Sequence, residues 1–288
     1  MNRLHVQSFF DKATFTASYV IADQDTGVCA VIDPVLDFDA PSGRSSHASA
    51  DAMIAHIRQA GFTLAWILET HAHADHLSAA AYIKSVLGGR TAIGRHIVDV
   101  QKTFARVFNL REGFTPDGGQ FDVLFAEGDS FTVGSLIGRV MHTPGHTPAC
   151  VTYVIGGAAF VGDTLFMPDY GSARADFPGG DARTLHRSMR RILELPGNTR
   201  LFTCHDYGTL SRKEFAWEST VADQRRSNIH ARDGIGEDDF VAMRTARDRT
   251  LSMPQLILPS IQVNIRAGAF PPPEDNGVSY LKLPINAL

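Results

Sequence analysis

The sequence predicts an α/β fold. Short apolar, strand-like segments run repeatedly into loops that carry His, Asp or Gly, and stretches with helical spacing of apolar side chains stand between them. Hydrophobic residues at 44% and charged residues at 20% of 288 are ordinary globular values, and the chain is long enough to bury a core as one large domain or two smaller ones. A net charge of -4 offers no basic footprint, so nucleic acid is not an expected partner. The opening, Met1 to Gln7, lacks the apolar centre of a signal peptide, and no apolar run is long enough to cross a bilayer, so no membrane is expected either. Cys29, Cys150 and Cys204 lie far apart and are odd in number, which argues against a disulfide framework and for a reducing cytoplasm.

Taken in order, His5 to Phe9, Phe15 to Ala22 and Val28 to Ile32 read as strands, with a turn at Asp23 to Gly27. Asp33-Pro34 ends the third, since proline cannot continue a ladder. Asp37 to Ser49 has the polar composition of a mobile loop. An amphipathic helix follows from about Ala50 to Ala60, on which Met53, Ile54, Ile57 and Ala60 share a face and after which Gly61 is a natural stop. Leu64 to Leu68 is a buried strand. It runs into a stretch where His71, His73, Asp75 and His76 fall within six positions, and a helical segment from Leu77 to Leu87 follows. Imidazole and carboxylate are the ligands that first-row metals take from a protein without thiolates, so this stretch predicts a metal site. A second helix is expected over Arg95 to Val107, with His56 and His96 as surface residues, and Gly113 to Gln120 reads as a connection.

The second half repeats the theme. Ser130 to Val140 holds two short strands around Gly134. In Thr143-Pro144-Gly145-His146-Thr147 the Pro-Gly pair forces a tight turn that fixes His146 at the mouth of the sheet, while His142 reads as structural. Val151 to Ile155 and Ala158 to Val161 form a hairpin that ends in Gly162-Asp163-Thr164. The glycine-rich stretch Phe166 to Gly180, with Arg174 and Asp176, suits a substrate-facing loop. A helix over Ala182 to Leu195 and a strand over Arg200 to Cys204 then deliver His205-Asp206-Tyr207. Beyond Gly208, one helix is clear, from Glu237 to about Met253, with acids at its start and Pro254 at its end. Pro271 to Pro273 mark an exposed turn, and no linker separates this extension as an independent domain.

The H-x-H-x-D-H stretch resembles the signature of the metallo-β-lactamase superfamily. That resemblance implies a four-layer αββα sandwich over residues 1–208, with a C-terminal extension, 209–288, packed on the same domain. It also implies further ligands at His146, Asp163 and His205. Within the superfamily, Gly162 to Phe166 with Arg174-Ala175-Asp176-Phe177, and the tail Leu258 to Gly268, resemble the persulfide dioxygenases. The tail does not resemble the helical glutathione-binding domain of glyoxalase II thioesterases. A loop between Asp163 and Arg174 about two residues longer than in the mitochondrial-type enzymes, and the segment around Asp37 to Ser49, fit a bacterial branch similar to proteins called β-lactamase hydrolase-like.

The resemblance implies oxidation of glutathione persulfide, or a related small persulfide, by O₂ to sulfite and thiol. Zinc is redox-silent, so this chemistry needs Fe(II), one per chain. In the family one iron is held by two His and a carboxylate, which map onto His71, His146 and Asp163 and leave open positions for both reactants. His73, Asp75, His76 and His205 then either orient those ligands or hold a second metal. Arg174 is expected to grip a substrate carboxylate or to serve as a salt-bridge partner, with Asp176, Tyr207, Asn264 and Arg266 as weaker binding candidates. A homodimer is compatible with the same features. The alternative is a dinuclear zinc hydrolase of a glutathione thioester or lactone, with His71, His73, His146 and Asp163 around one metal and Asp75, His76, Asp163 and His205 around the other.

Overall fold

Two six-stranded sheets face one another, and the computed structural model describes them within residues 3–111 and 113–286. In the first, β1 (Leu4–Asp11), β2 (Thr16–Asp23) and β3 (Val28–Ile32) run antiparallel. Parallel β6 (Thr63–Leu68), β8 (Arg90–Gly94) and β9 (Val123–Phe125) extend the sheet from β3. Between β3 and β6 lie β4 (Val35–Asp39), β5 (Arg44–Ser46) and helix α1 (Ala48–Gln59). After β6 come β7 (Leu77–Ser78), α2 (Ala80–Leu87) and, beyond β8, α3 (Ile97–Val107). The second sheet orders β10 (Ser130–Val133), β11 (Leu136–His142), β12 (Val151–Ile155), β13 (Ala158–Gly162), β14 (Arg200–Thr203) and β15 (Glu218–Thr220). Only β13 and β14 pair in parallel there. Helix α4 (Ala182–Ile192) precedes β14, and α5 (Val221–Ser227), α6 (Glu237–Asp248) and α7 (Ile257–Asn264) close the chain.

Alternation along the strands builds the layers. Tyr19, Ile21, Trp66 and Leu68 of the first sheet meet Val140, Tyr153, Phe160 and Phe202 of the second in one buried cluster, the interior of the sandwich. The opposite face of the first sheet, with Val20, Val31 and Ile67, is covered by Met53, Ile54 and Ile57 of α1, Ile83 of α2 and Val263 of α7. Ala159, Val161 and Leu201 of the second sheet lie under Leu185 and Met189 of α4 and Phe240 of α6. The four layers are therefore helix, sheet, sheet, helix. Strand β2 is buried along its whole length, because both of its faces are covered.

Several local expectations change. Asp37 to Ser49 is not a mobile loop: β4 and β5 pair, β4 also pairs with β7, and Asp37 accepts from the amide and hydroxyl of Ser49 at the start of α1. The helical segment expected from Leu77 opens as β7 and turns helical only at Ala80. Helix α6 stops at Asp248, five residues before Met253. Strands β8 and β9 and helix α7 escaped the sequence reading. The 209–286 segment touches both outer layers, through α6 on α4 and through Val263 of α7, which packs with the α1 and α2 side chains. Met1, Asn2, Ala287 and Leu288, the ends of the two spans drawn from the sequence, lie outside the described residues.

Candidate metal centre

Strands β3, β6, β13 and β14 end at one edge of the sandwich, and so does β11, which is antiparallel to β12 and hence runs with β13. The carboxyl ends of such strands are where an α/β sheet collects function. His71 to His76 follow β6, His146 follows β11, Asp163 follows β13, and His205 follows β14. Gly145 makes the His146 turn possible: its φ is 133°, and a Cβ there would lie 2.3 Å from the Leu185 backbone.

Among the described residues, four groups of candidate donors lie close enough to share an ion; Cys204 joins Asp33 and His73 in one and Asp163 and His205 in another, and the remaining two hold only residues singled out in the sequence. His71, His146 and Asp163 form one, and His73, Asp75, His76 and His205 the other; within each, one ligand atom per residue lies within 4.8 Å of all the rest. His71 Nε2 and His146 Nε2 stand 3.9 and 3.7 Å from Asp163 Oδ2. His205 Nε2 lies 2.8 Å from Asp75 Oδ2 and 3.5 Å from Asp163 Oδ1.

The far side of each ring fixes its tautomer. His146 Nδ1 donates to the Arg174 carbonyl at 2.8 Å, and His205 Nδ1 to that of Phe15 at 3.2 Å. Thr70 Oγ1 spends its proton on Asp33 Oδ2, so it receives the Nδ1 proton of His71 at 3.0 Å. His73 donates from Nε2 to Asp33 Oδ1, also at 3.0 Å. Left over, buried and without hydrogen-bond partners, are His71 Nε2, His73 Nδ1, His76 Nε2, His205 Nε2 and Asp163 Oδ1. Buried polar atoms are otherwise almost always paired, so unpaired ring nitrogens and a carboxylate oxygen gathered in the two donor groups fit bound cations. Burial, with nearby imidazoles adding to it, holds His71 well below the usual histidine pKa and His76 down to about 4. Both are therefore neutral donors near pH 7, as metal ligation requires.

Asp33 is the residue that sequence reading missed. In the sequence it reads only as the end of a strand, yet its carboxylate holds His73 directly and His71 through Thr70, and also accepts from the Thr70 amide at 2.7 Å. Its φ of 48° is unusual for a non-glycine residue and is the kind of backbone strain that marks functional sites. Glu69 faces His73 as well, at 3.3 Å, and accepts from Ser78 Oγ. The sequence offers only an acid closing an apolar run, Asp33-Pro34, and the pairing of β3 with β6 supplies the rest.

A cavity of about 570 Å³ opens over the site, with Asp75, His146 and Asp163 in its lining. The C-terminal segment forms part of its wall, and the tip of the β4–β5 hairpin another. Tyr207 lines it and stacks on the His205 ring, with centroids 5.6 Å apart. Arg174 lines it too, but its guanidinium is already engaged: Nε and Nη2 donate to Asp176 at 2.5 and 2.7 Å, and Nη1 to the Ser252 carbonyl. Asn264 and Arg266 are not brought to the cavity. The Asn264 amide donates to the carbonyls of His73 and His76, and its oxygen accepts from Ser78. Arg266 donates to the Gln262 carbonyl and lies over the Phe114 ring. Asn264 thus braces the 71–76 loop from behind, on the side away from the cavity. Among the described residues that line the cavity, Arg247 is the cation with no carboxylate within salt-bridge distance. Sequence reading did not single it out.

Residues 11–205 match the family described as the metallo-beta-lactamase superfamily. A probable metallo-hydrolase of Burkholderia pseudomallei is 57% identical, over 98% of this chain and 99% of that one. The β-lactamase hydrolase-like protein of Xylella fastidiosa is 55% identical over 98% of this chain, which spans only 65% of that longer protein. The mitochondrial persulfide dioxygenase ETHE1 of Mus musculus is 30% identical, over 93% of this chain and 90% of its own. Among solved structures, ETHE1 from Myxococcus xanthus superposes with a TM-score of 0.73 at 25% identity, covering 92% of this chain and 100% of that one.

Proposed function

The chain belongs to the metallo-β-lactamase superfamily, and from that premise we propose that it is a persulfide dioxygenase. The observation that carries this reading is the separation of the donors: His71, His146 and Asp163 form a two-histidine, one-carboxylate set from which His73 is absent. Such a facial set leaves coordination positions for a second reactant. The full-length similarity to a persulfide dioxygenase supports the same reading.

The balanced reaction is R–S–SH + O₂ + H₂O → R–SH + sulfite + 2 H⁺, in which the outer sulfur is oxidised and O₂ is reduced. Fe(II), when held by His71, His146 and Asp163, supplies the redox chemistry with O₂ that zinc lacks. The protein's own work is to hold and orient. Asp33, through Thr70 and His73, fixes the imidazoles, and Asn264 fixes the loop that carries them. The cavity brings the persulfide to the edge of the donor set, so that a collision becomes a step between held partners. Tyr207 offers an aromatic wall, and Arg247 an unpaired cation for an anionic thiol carrier such as glutathione.

Anaerobically purified protein, given glutathione persulfide, is expected to consume O₂ and release sulfite while hydrolysing thioesters slowly, with iron near one per chain. Two zinc ions per chain in cells supplied with iron, together with fast thioester hydrolysis, would remove the oxygenase reading. The alternative, a dinuclear zinc hydrolase, is favoured by one specific feature: His73, Asp75, His76 and His205 make a second complete donor set beside the first.

Because its fork is closed on Asp176, Arg174 acts as a staple between the 166–180 loop and Ser252. Arg174→Ala is expected to lower the melting temperature, by about 2–4 °C for each kcal/mol lost in a chain of this size. The KM for the persulfide should change by no more than about twofold. A KM raised about tenfold with unchanged melting would return Arg174 to substrate binding.

A further inference from the structure

Arg244 and Asp248 are the i,i+4 pair at the end of α6, and both are buried, at 1% and 6% exposure. Asp248 Oδ1 accepts from Arg244 Nε at 2.8 Å and lies 2.6 Å from Nη2. Arg244 Nη1 reaches the Ser172 carbonyl at 3.3 Å. A pair kept only to neutralise two charges would turn both carboxylate oxygens to the guanidinium. Here the second oxygen, Oδ2, turns away and accepts the Ala175 amide at 2.9 Å. That amide belongs to the peptide group joining Arg174 to Ala175, whose carbonyl receives the Nδ1 proton of His146 at 2.8 Å. One rigid peptide plane thus stands between a buried carboxylate and the ring of a metal-ligand histidine.

We propose that Asp248, held in place by Arg244, is a positioning residue of the metal centre that acts on His146 through the 174–175 peptide. An anion at the amide end pulls charge through the conjugated peptide and leaves its oxygen more negative, and hydrogen bonds in series polarise one another in this way. The more negative carbonyl holds the His146 proton more strongly. It fixes the ring plane and makes Nε2 the better donor, as a directly bonded carboxylate does for other metal-bound histidines. The contact with Ser172 secures the same loop one turn earlier. Metal affinity therefore depends on α6, which lies outside the 11–205 span matched to the superfamily. The inference rests on His146 being a ligand and holds under either reaction.

The test is zinc affinity of the full-length, metal-free protein, titrated against a chromophoric chelator. Asp248→Asn keeps the side chain's shape and one acceptor but loses the charge. It is expected to weaken zinc binding roughly tenfold, the low end of what outer ligand-orienting groups contribute. Unchanged affinity would overturn the proposal, with or without a lower melting temperature, since a purely structural ion pair alters folding alone. His146→Ala, run beside it, separates the two assumptions: if it binds zinc as the parent does, His146 is no ligand and the relay falls with it. Should Asp248→Asn not fold, the parent protein decides. Zinc bound at Nε2 makes Nδ1–H a stronger donor, so the Ala175 amide proton resonance should move downfield on zinc addition; a resonance that stays put refutes the relay.

Discussion

His146→Ala is expected to yield folded protein without tightly bound metal. His146 is the only one of the three facial donors on the β11–β12 turn; His71 comes from the first sheet and Asp163 from the end of β13. Its removal leaves one imidazole and one carboxylate, too few to hold a divalent ion that water and chelators compete for. The loss should exceed the roughly 10–100-fold cost of changing a group that only orients a ligand. The fold should survive, since the sandwich interior is built from Tyr19, Trp66, Tyr153 and Phe160 and includes no part of the turn. Elemental analysis of parent and variant purified identically, with circular dichroism as the folding control, decides it. A variant that keeps about one iron per chain would remove His146 from the ligand set.

The elements most legible in the sequence were those whose signal is local. Apolar runs that stop at a candidate donor announced β6, β13 and β14, and the Met53, Ile54, Ile57 spacing announced α1. The αββα architecture and the later candidate donors followed from one dense motif and the family it resembles. What stayed hidden is set by contacts distant in sequence. Asp33 looks like a strand end until β3 lies beside β6, with Ile32 opposite Leu68, 36 residues on. Strand β9 is three residues long and gains its identity from pairing with β8. Asn264 resembles a binding residue in the tail pattern, and only the fold reveals that its amide faces the backbone of His73 and His76, 188 or more residues away. Asp248 reads as the ordinary charged end of a helix, because its peptide partner lies 73 residues earlier.

Asp75→Ala is expected to keep about one iron per chain while turning over roughly 10–100-fold more slowly, the cost of losing a group that orients ligands. Asp75 is the most exposed member of its donor group, at 24%, and it lines the cavity. Burial pushes its pKa up, but His205 and His76 outweigh that and leave it well below the usual carboxylate range, so it is an anion at pH 7. In the oxygenase reading its work is to pair, 2.8 Å from Nε2, with a His205 ring kept protonated beside Asp163: burial pushes the His205 pKa down, but Asp75 and its neighbours raise it well above the usual histidine value. Its loss then frees His205 and loosens the cavity floor, while His71, His146 and Asp163 keep their ion. In the hydrolase reading the same carboxylate is one of four donors to a second ion, together with His73, His76 and His205. Its loss would take the protein from two metals to one. Metal content per chain, measured on Asp75→Ala and parent protein prepared together, separates the two: one ion in both sustains the oxygenase, and a fall from two to one makes the dinuclear hydrolase the better account of this site.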